Sequence, residues 1–100
     1  MAYALKIHRD VEKQLQRIQK NQRERLVASM RSLREDPRPT GCVKLDDVLY
    51  RVRQGQYRVI YAVFDEELVV VVCKVARRAE STYRSLETLL TRAERLLGEG

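Results

Sequence analysis

The stretch Leu68 to Val75 is nearly all valine, and it constrains the fold more than any other part of the chain. β-branched side chains favour extended backbone. A strand with one wet face alternates apolar and polar residues. This one does not, so both of its faces must be buried. The longest unbroken apolar run, Leu68 to Cys73, is far short of a membrane span and suits a strand. The rest of the chain must flank this strand and cover it.

Two alternating segments precede it. In Val48 to Arg53, the residues Val48, Tyr50 and Val52 fall on one face and Leu49, Arg51 and Arg53 on the other. Gln54-Gly55-Gln56 is a hairpin-type turn with a glycine available for positive φ. In the next strand, Tyr57 to Val63, Arg58 shares a face with Ile60 and Ala62, while Tyr57, Val59 and Tyr61 share the other. Asp65-Glu66-Glu67 is a polar turn into the valine run, so the three strands form an antiparallel meander.

Upstream, Ala2 to Ile7 reads as a first strand, after which the period becomes helical. Val11, Leu15 and Ile18 make one stripe, and Lys13, Gln14, Arg17 and Lys20 face away. Asn21 interrupts the pattern and can cap a second helix, in which Leu26, Met30 and Leu33 repeat the stripe until Pro37 and Pro39. So short a link makes the two helices an αα-hairpin. Thr82 to Leu97 forms a closing helix with Leu86, Leu89, Leu90, Ala93, Leu96 and Leu97 along one side. The expected fold is α+β: an N-terminal strand, an αα-hairpin, a three-stranded antiparallel meander and a C-terminal helix. With no linker, repeat or low-complexity stretch, residues 1–100 are expected to be one domain.

Lys and Arg total 20 against 14 Asp and Glu, a net charge of +6, and arginine greatly outnumbers lysine. Arginine grips phosphate with a planar fork and keeps its charge in any setting. Without a signal peptide or a membrane-anchor signal, this balance points to nucleic acid and to a cytoplasmic protein. A solvated basic surface is the plainer reading of the same charge. Cys42 and Cys73 have no metal or redox spacing, and Cys73 reads as a buried free thiol. His8 is the one histidine, so neither a histidine metal site nor a histidine acid–base pair can form. No metal and no cofactor is expected.

The cations of the helical hairpin are diluted by Asp10, Glu12, Glu24, Glu35 and Asp36. Those of the meander are not. Arg51, Arg53 and Arg58 lie on two strands joined by a tight turn, Arg77 and Arg78 follow the valine strand, and Tyr83 and Arg84 come soon after. Pairing of the valine strand with that of Arg58 would bring Arg78 towards Arg58. A basic sheet face with one phenol suits RNA, which carries its own nucleophile in the 2′-hydroxyl. The chemistry needs a base for that hydroxyl, charge stabilisation at phosphorus, and help for the leaving 5′-oxygen. Arginines serve the second need. Tyr83 is the candidate base, since nearby arginine charge favours the phenolate. Such a set predicts a weak catalyst that depends on a partner to hold the RNA in line. Tyr50, Tyr57 and Tyr61 read as packing residues. Residues alone lead no further than an α+β domain that binds RNA or DNA.

The run Leu49-Tyr50-Arg51-Val52-Arg53-Gln54-Gly55-Gln56-Tyr57-Arg58-Val59-Ile60-Tyr61 resembles the core signature of the RelE/ParE toxin superfamily. The acidic turn, the valine strand, Val75-Ala76-Arg77-Arg78 and the later Tyr83-Arg84 are similar too, as is the Pro-containing break before Lys44-Leu45. The resemblance covers nearly the whole chain and implies a RelE-like fold, akin to microbial ribonucleases. It further implies a type II toxin that cuts messenger RNA in the ribosomal A site by 2′-hydroxyl attack and so stops translation. The implied partners are a cognate antitoxin, the ribosome and mRNA, with no membrane and with DNA met only through the antitoxin.

By the same resemblance, Arg51 and Arg53 contact or stabilise phosphate, and Arg58 holds the scissile group. Arg78 assists the leaving oxygen and Tyr83 is the base. Arg77 stands where relatives often have His or Lys, and it joins Arg51 and Arg84 as an RNA contact. The chain departs from the pattern at Ala76, in place of a usual glycine, and at Asp46-Asp47, where a glycine often follows Lys-Leu. In relatives the antitoxin segment can compete with the closing helix, and an apolar, acidic antitoxin stretch is expected to pack on this protein. The alternative within the superfamily is a ParE-like inhibitor of DNA gyrase. Possession of Arg53, Arg58, Arg78 and Tyr83 together favours the ribonuclease.

Overall fold

A computed structural model describes residues 2–78 and 86–99. Strand β1 (Ala4–Ile7) leads into helices α1 (Arg9–Gln16) and α2 (Lys20–Ser32). Strands β2 (Val43–Asp46), β3 (Leu49–Gln54), β4 (Tyr57–Phe64) and β5 (Val69–Arg77) follow, and helix α3 (Leu86–Gly98) ends the order. The strands make one sheet in the order β1-β5-β4-β3-β2. β1 runs parallel to β5, and all other neighbours are antiparallel.

The valine strand behaves as its composition demands. Val70, Val72 and Val75 pack under the helical hairpin with Val11, Leu15, Ile18, Leu26, Met30 and Leu33. Val71 and Cys73 face the other way, with Leu49, Ile60 and Ala62, beneath Leu89 and Ala93 of α3. Two separate apolar cores thus sandwich the sheet, and β5 contributes to both.

Several boundaries differ from the sequence reading. β1 begins at Ala4 instead of Ala2. β2 is an additional strand, so the antiparallel part has four members. Its pattern is hard to read because it is a wet edge strand: only Leu45 of its four residues is half-buried. The register shift between Lys44 and Asp46, with Asp47 at φ +32°, turns the chain sharply into β3. That turn also sends Val48 to the α3 side, away from Tyr50 and Val52. Asn21 is not the cap of α2. Gln19 holds that position without a side-chain bond, and Asn21 Oδ1 instead accepts from the Gln22 amide at 2.8 Å within the first turn. The β3–β4 hairpin is as expected: Gln54 pairs with Tyr57, and Gly55 takes φ +60°. The described part of the closing helix starts at Leu86, and its predicted first residues from Thr82 lie outside the described residues. Leu97 is half-buried, apart from the Leu86, Leu89, Leu90, Ala93 and Leu96 cluster. Among the described residues no helix is long and apolar enough to cross a membrane.

Candidate functional site: a basic face at one end of the sheet

Antiparallel pairing sets side chains on directly opposed residues side by side on one face. β3 and β4 pair Arg53 with Arg58, and β4 and β5 pair Arg58 with Ala76. These three positions form a row across the sheet, next to the Gly55 turn. The next row on the same face is Arg51, Ile60 and Lys74. The row after that, Leu49, Ala62 and Val71, is apolar and lies under α3. The face is therefore basic at the hairpin end and apolar where the helix covers it.

Ala76 is fully buried beside Arg58. Arg78 then leaves the strand, and its amide donates to the carbonyl of Gln56 at 2.8 Å. That bond holds Arg78 against the β3–β4 turn. Arg58, Arg77, Arg78 and Gln56 line an open hollow of about 510 Å³. Arg58 and Arg78 thus meet at one site, as their strand pairing predicts. Arg77 pairs with Tyr57, whose ring is buried on the hairpin side of the sheet, so it reaches the hollow from the strand's end. Arg51 and Arg58 are half-buried and Arg53, Arg77 and Arg78 are exposed. The Nε atom of Arg51 is buried without a hydrogen-bond partner among the described residues. Tyr83 and Arg84 lie outside the described residues.

Lys74 is the member of this face that the sequence reading passed over. It sits in a stretch that looks uniformly buried. Yet Lys has a high desolvation cost in a core, so one lysine in a valine strand signals a local break in the alternation. The break is a β-bulge: Ile60 pairs with Lys74, and the next residue, Tyr61, pairs with Val72.

The perturbed titrations lie at the other end of the strands. Arg38 forks onto Asp65 at 3.1 and 2.7 Å, and Tyr3 donates to the same carboxylate at 2.7 Å. The Arg38 and Tyr3 bonds hold the Asp65 carboxyl below its ordinary range. The Asp65 bond in turn raises Tyr3. Arg38 Nε also donates to the Tyr50 hydroxyl at 3.0 Å. Burial pushes the Tyr61 phenol up, and its hydroxyl donates to the Pro37 carbonyl at 2.8 Å. Tyr50 and Tyr61 stack at 5.9 Å, so the meander tyrosines are packing and clasp residues. Burial pushes the Cys73 thiol to about 12. His8 is the N-cap of α1, where Nδ1 accepts from the Asp10 amide at 3.1 Å. A larger groove of about 690 Å³ between α1 and α3 contains none of the basic sheet residues.

Fold and face together define a basic α+β protein whose sheet presents rows of arginine. A family model for the ParE toxin of type II toxin–antitoxin systems, parDE, matches residues 5–82. A chain of the archaeal RelE–RelB complex from Pyrococcus horikoshii is similar at 34% identity and a TM-score of 0.74, covering 81% of this chain and 100% of that one. Free Escherichia coli RelE with two arginines changed to alanine gives 26% identity and a TM-score of 0.68, over 95% and 97% of the two chains. A chain of the RelBE2 toxin–antitoxin complex of Mycobacterium tuberculosis shares the fold at 21% identity and a TM-score of 0.69, over 80% and 95%. None of the curated proteins matches. The chain belongs to the RelE/ParE superfamily, the toxins of type II toxin–antitoxin systems.

Proposed function

We propose that the whole chain, as one toxin domain, is a ribosome-dependent endoribonuclease that cuts mRNA in the A site and so inhibits translation in the cytoplasm. The observation that carries this reading is the Arg53–Arg58 cross-strand pair beside a hollow lined by Arg58 and Arg78. The pairing sets two guanidinium groups side by side on one face, where a phosphodiester can bridge them. Arg58 and Arg53 hold the scissile phosphate and stabilise charge growing on its oxygens. Tyr83 takes the proton of the 2′-hydroxyl. The 2′-oxygen then bonds to phosphorus and the bond to the 5′-oxygen breaks, leaving a cyclic phosphate and a 5′-hydroxyl. Arg78 assists the departing oxygen, while Arg51, Arg77 and Arg84 contact the RNA backbone. The ribosome supplies alignment that a face this open does not.

The matched solved structures include RelE–RelB and RelBE complexes, which supports a cognate antitoxin as the partner that silences this chain. DNA is then met only through the antitoxin. The second reading, a ParE-like inhibitor of DNA gyrase, is favoured by the ParE family match itself. Induction in growing cells separates the two. A ribonuclease stops labelled methionine incorporation first, with thymidine incorporation falling later. A gyrase inhibitor reverses that order, and this reversal would overturn the first reading.

A further inference from the structure

Strand β5 alternates cleanly up to the bulge. Val70 and Val72 belong to the core under the helical hairpin, and Val71 and Cys73 to the core under α3. Continued alternation would send Lys74 into the hairpin core and Val75 out under α3. Instead Val75 joins the hairpin core, and Lys74 pairs with Ile60, which lies on the α3 side. The bulge therefore places Cys73 and Lys74 on the same face. Bulges re-aim side chains in this way and concentrate beside active sites.

The consequence is a second cationic row. Arg51 and Lys74 flank the fully buried Ile60 on strands two positions apart, so their Cα atoms are about 10 Å from each other. Lys74 is half-buried and makes no hydrogen bond or ion pair with any described residue, and Arg51 Nε is buried without a partner among them. Ile60, fully buried in the core under α3, lies between their stems. The two cations share a row and a face, and neither has an anionic partner among the described residues, so their charge is left for an external anion. The adjacent row holds Arg53 and Arg58, so the two rows follow one direction along the strands.

We propose that Lys74, with Arg51, forms a second phosphate subsite, which holds an RNA phosphodiester neighbouring the one that is cut. Lys74 is thereby a substrate-contacting residue, brought to the RNA by the β5 bulge. This rests on the ribonuclease reading and adds the residue that fixes the substrate beyond the scissile group. A point charge on a flexible stem suits a non-reacting phosphate, where position matters less than charge.

The test uses the full chain and a fluorescent single-stranded RNA in which every 2′-hydroxyl is methylated, so that binding is read without cleavage. Each phosphate contact contributes about 0.7 to the slope of log Kd against log salt for single strands. Lys74→Met should lower that slope by about one contact, weaken binding several-fold at moderate salt, and melt at the wild-type temperature. Lys74→Arg should restore the slope. In programmed ribosomes, Lys74→Met should raise KM more than it lowers kcat. Wild-type salt slope and wild-type KM in a folded Lys74→Met protein would overturn the subsite while leaving cleavage by the wild type intact. A wild type that neither binds this RNA nor cuts on ribosomes would overturn the ribonuclease reading and the subsite with it.

Discussion

Arg58 is the centre of the first basic row: Arg53 lies opposite it on β3, Ala76 opposite it on β5, and Arg78 lines the same hollow. Its removal should lower kcat/KM on ribosomes by roughly 100-fold or more, about 3 kcal/mol of transition-state stabilisation by analogy with the loss of one oxyanion donor. Thermal stability should change little, since the guanidinium is not part of either apolar core. Cys73 has the opposite character. Burial holds its thiol near 12, so at pH 8 iodoacetamide should modify the half-buried Cys42 and spare Cys73 until the protein is unfolded. Modification of Cys73 in the folded protein at a rate like that of Cys42 would contradict the packing described for β5. The positions of Arg58 and Cys73 were legible in the chain, because Arg58 sits in an alternating strand and Cys73 in a valine run. Lys74 was not, because a single bulge reverses the face that alternation assigns to it.

The elements show where patterning succeeds and fails. α1, α2, β3, β4 and β5 are readable because each buries one continuous face or, for β4 and β5, both. β2 is not, since an exposed edge strand carries no apolar rhythm. Asn21 misled as a cap because its side chain serves the first turn from inside the helix. The last turn of α3 has a cap that no pattern announces: Lys6 on β1 donates to the carbonyls of Leu96, at 2.8 Å, and Glu99. A cation on the last carbonyls of a helix contributes about 0.3–1 kcal/mol. Lys6→Ala should therefore speed amide exchange at the end of α3 while leaving that of β4 unchanged. At the opposite end of β4, Asp65 ties Arg38 and Tyr3 together. Its carboxyl is depressed in the folded chain. The stability it adds is thus present above the unfolded carboxylate range and is lost as pH falls through the folded value. Exposure limits that contribution to about 1 kcal/mol. Asp65→Asn should flatten the acid limb of the stability–pH curve slightly, as read by urea melts from pH 6 to pH 3.

At the scale of the whole molecule, the fold separates stability from charge. Two apolar cores hold the sheet from either side, and the hairpin end of one face collects the arginines. Truncating the core should cost far more stability than any change on the basic face; Met30→Ala, fully buried under the sheet, should lose about 2–5 kcal/mol. The fold class and the approach of Arg58 to Arg78 could be read from the sequence, since the order of the meander strands follows from its turns, although the β5 bulge shifts the register by one residue. Tyr83 lies outside the described residues, and no pattern in the sequence fixes its distance from Arg58. The most direct measurement of the central claim is primer extension on mRNA from purified programmed ribosomes, with wild-type protein and Arg58→Ala. Cuts confined to the A-site codon that disappear with Arg58→Ala are the predicted result. Intact mRNA from a wild-type protein that still arrests growth would contradict the claim.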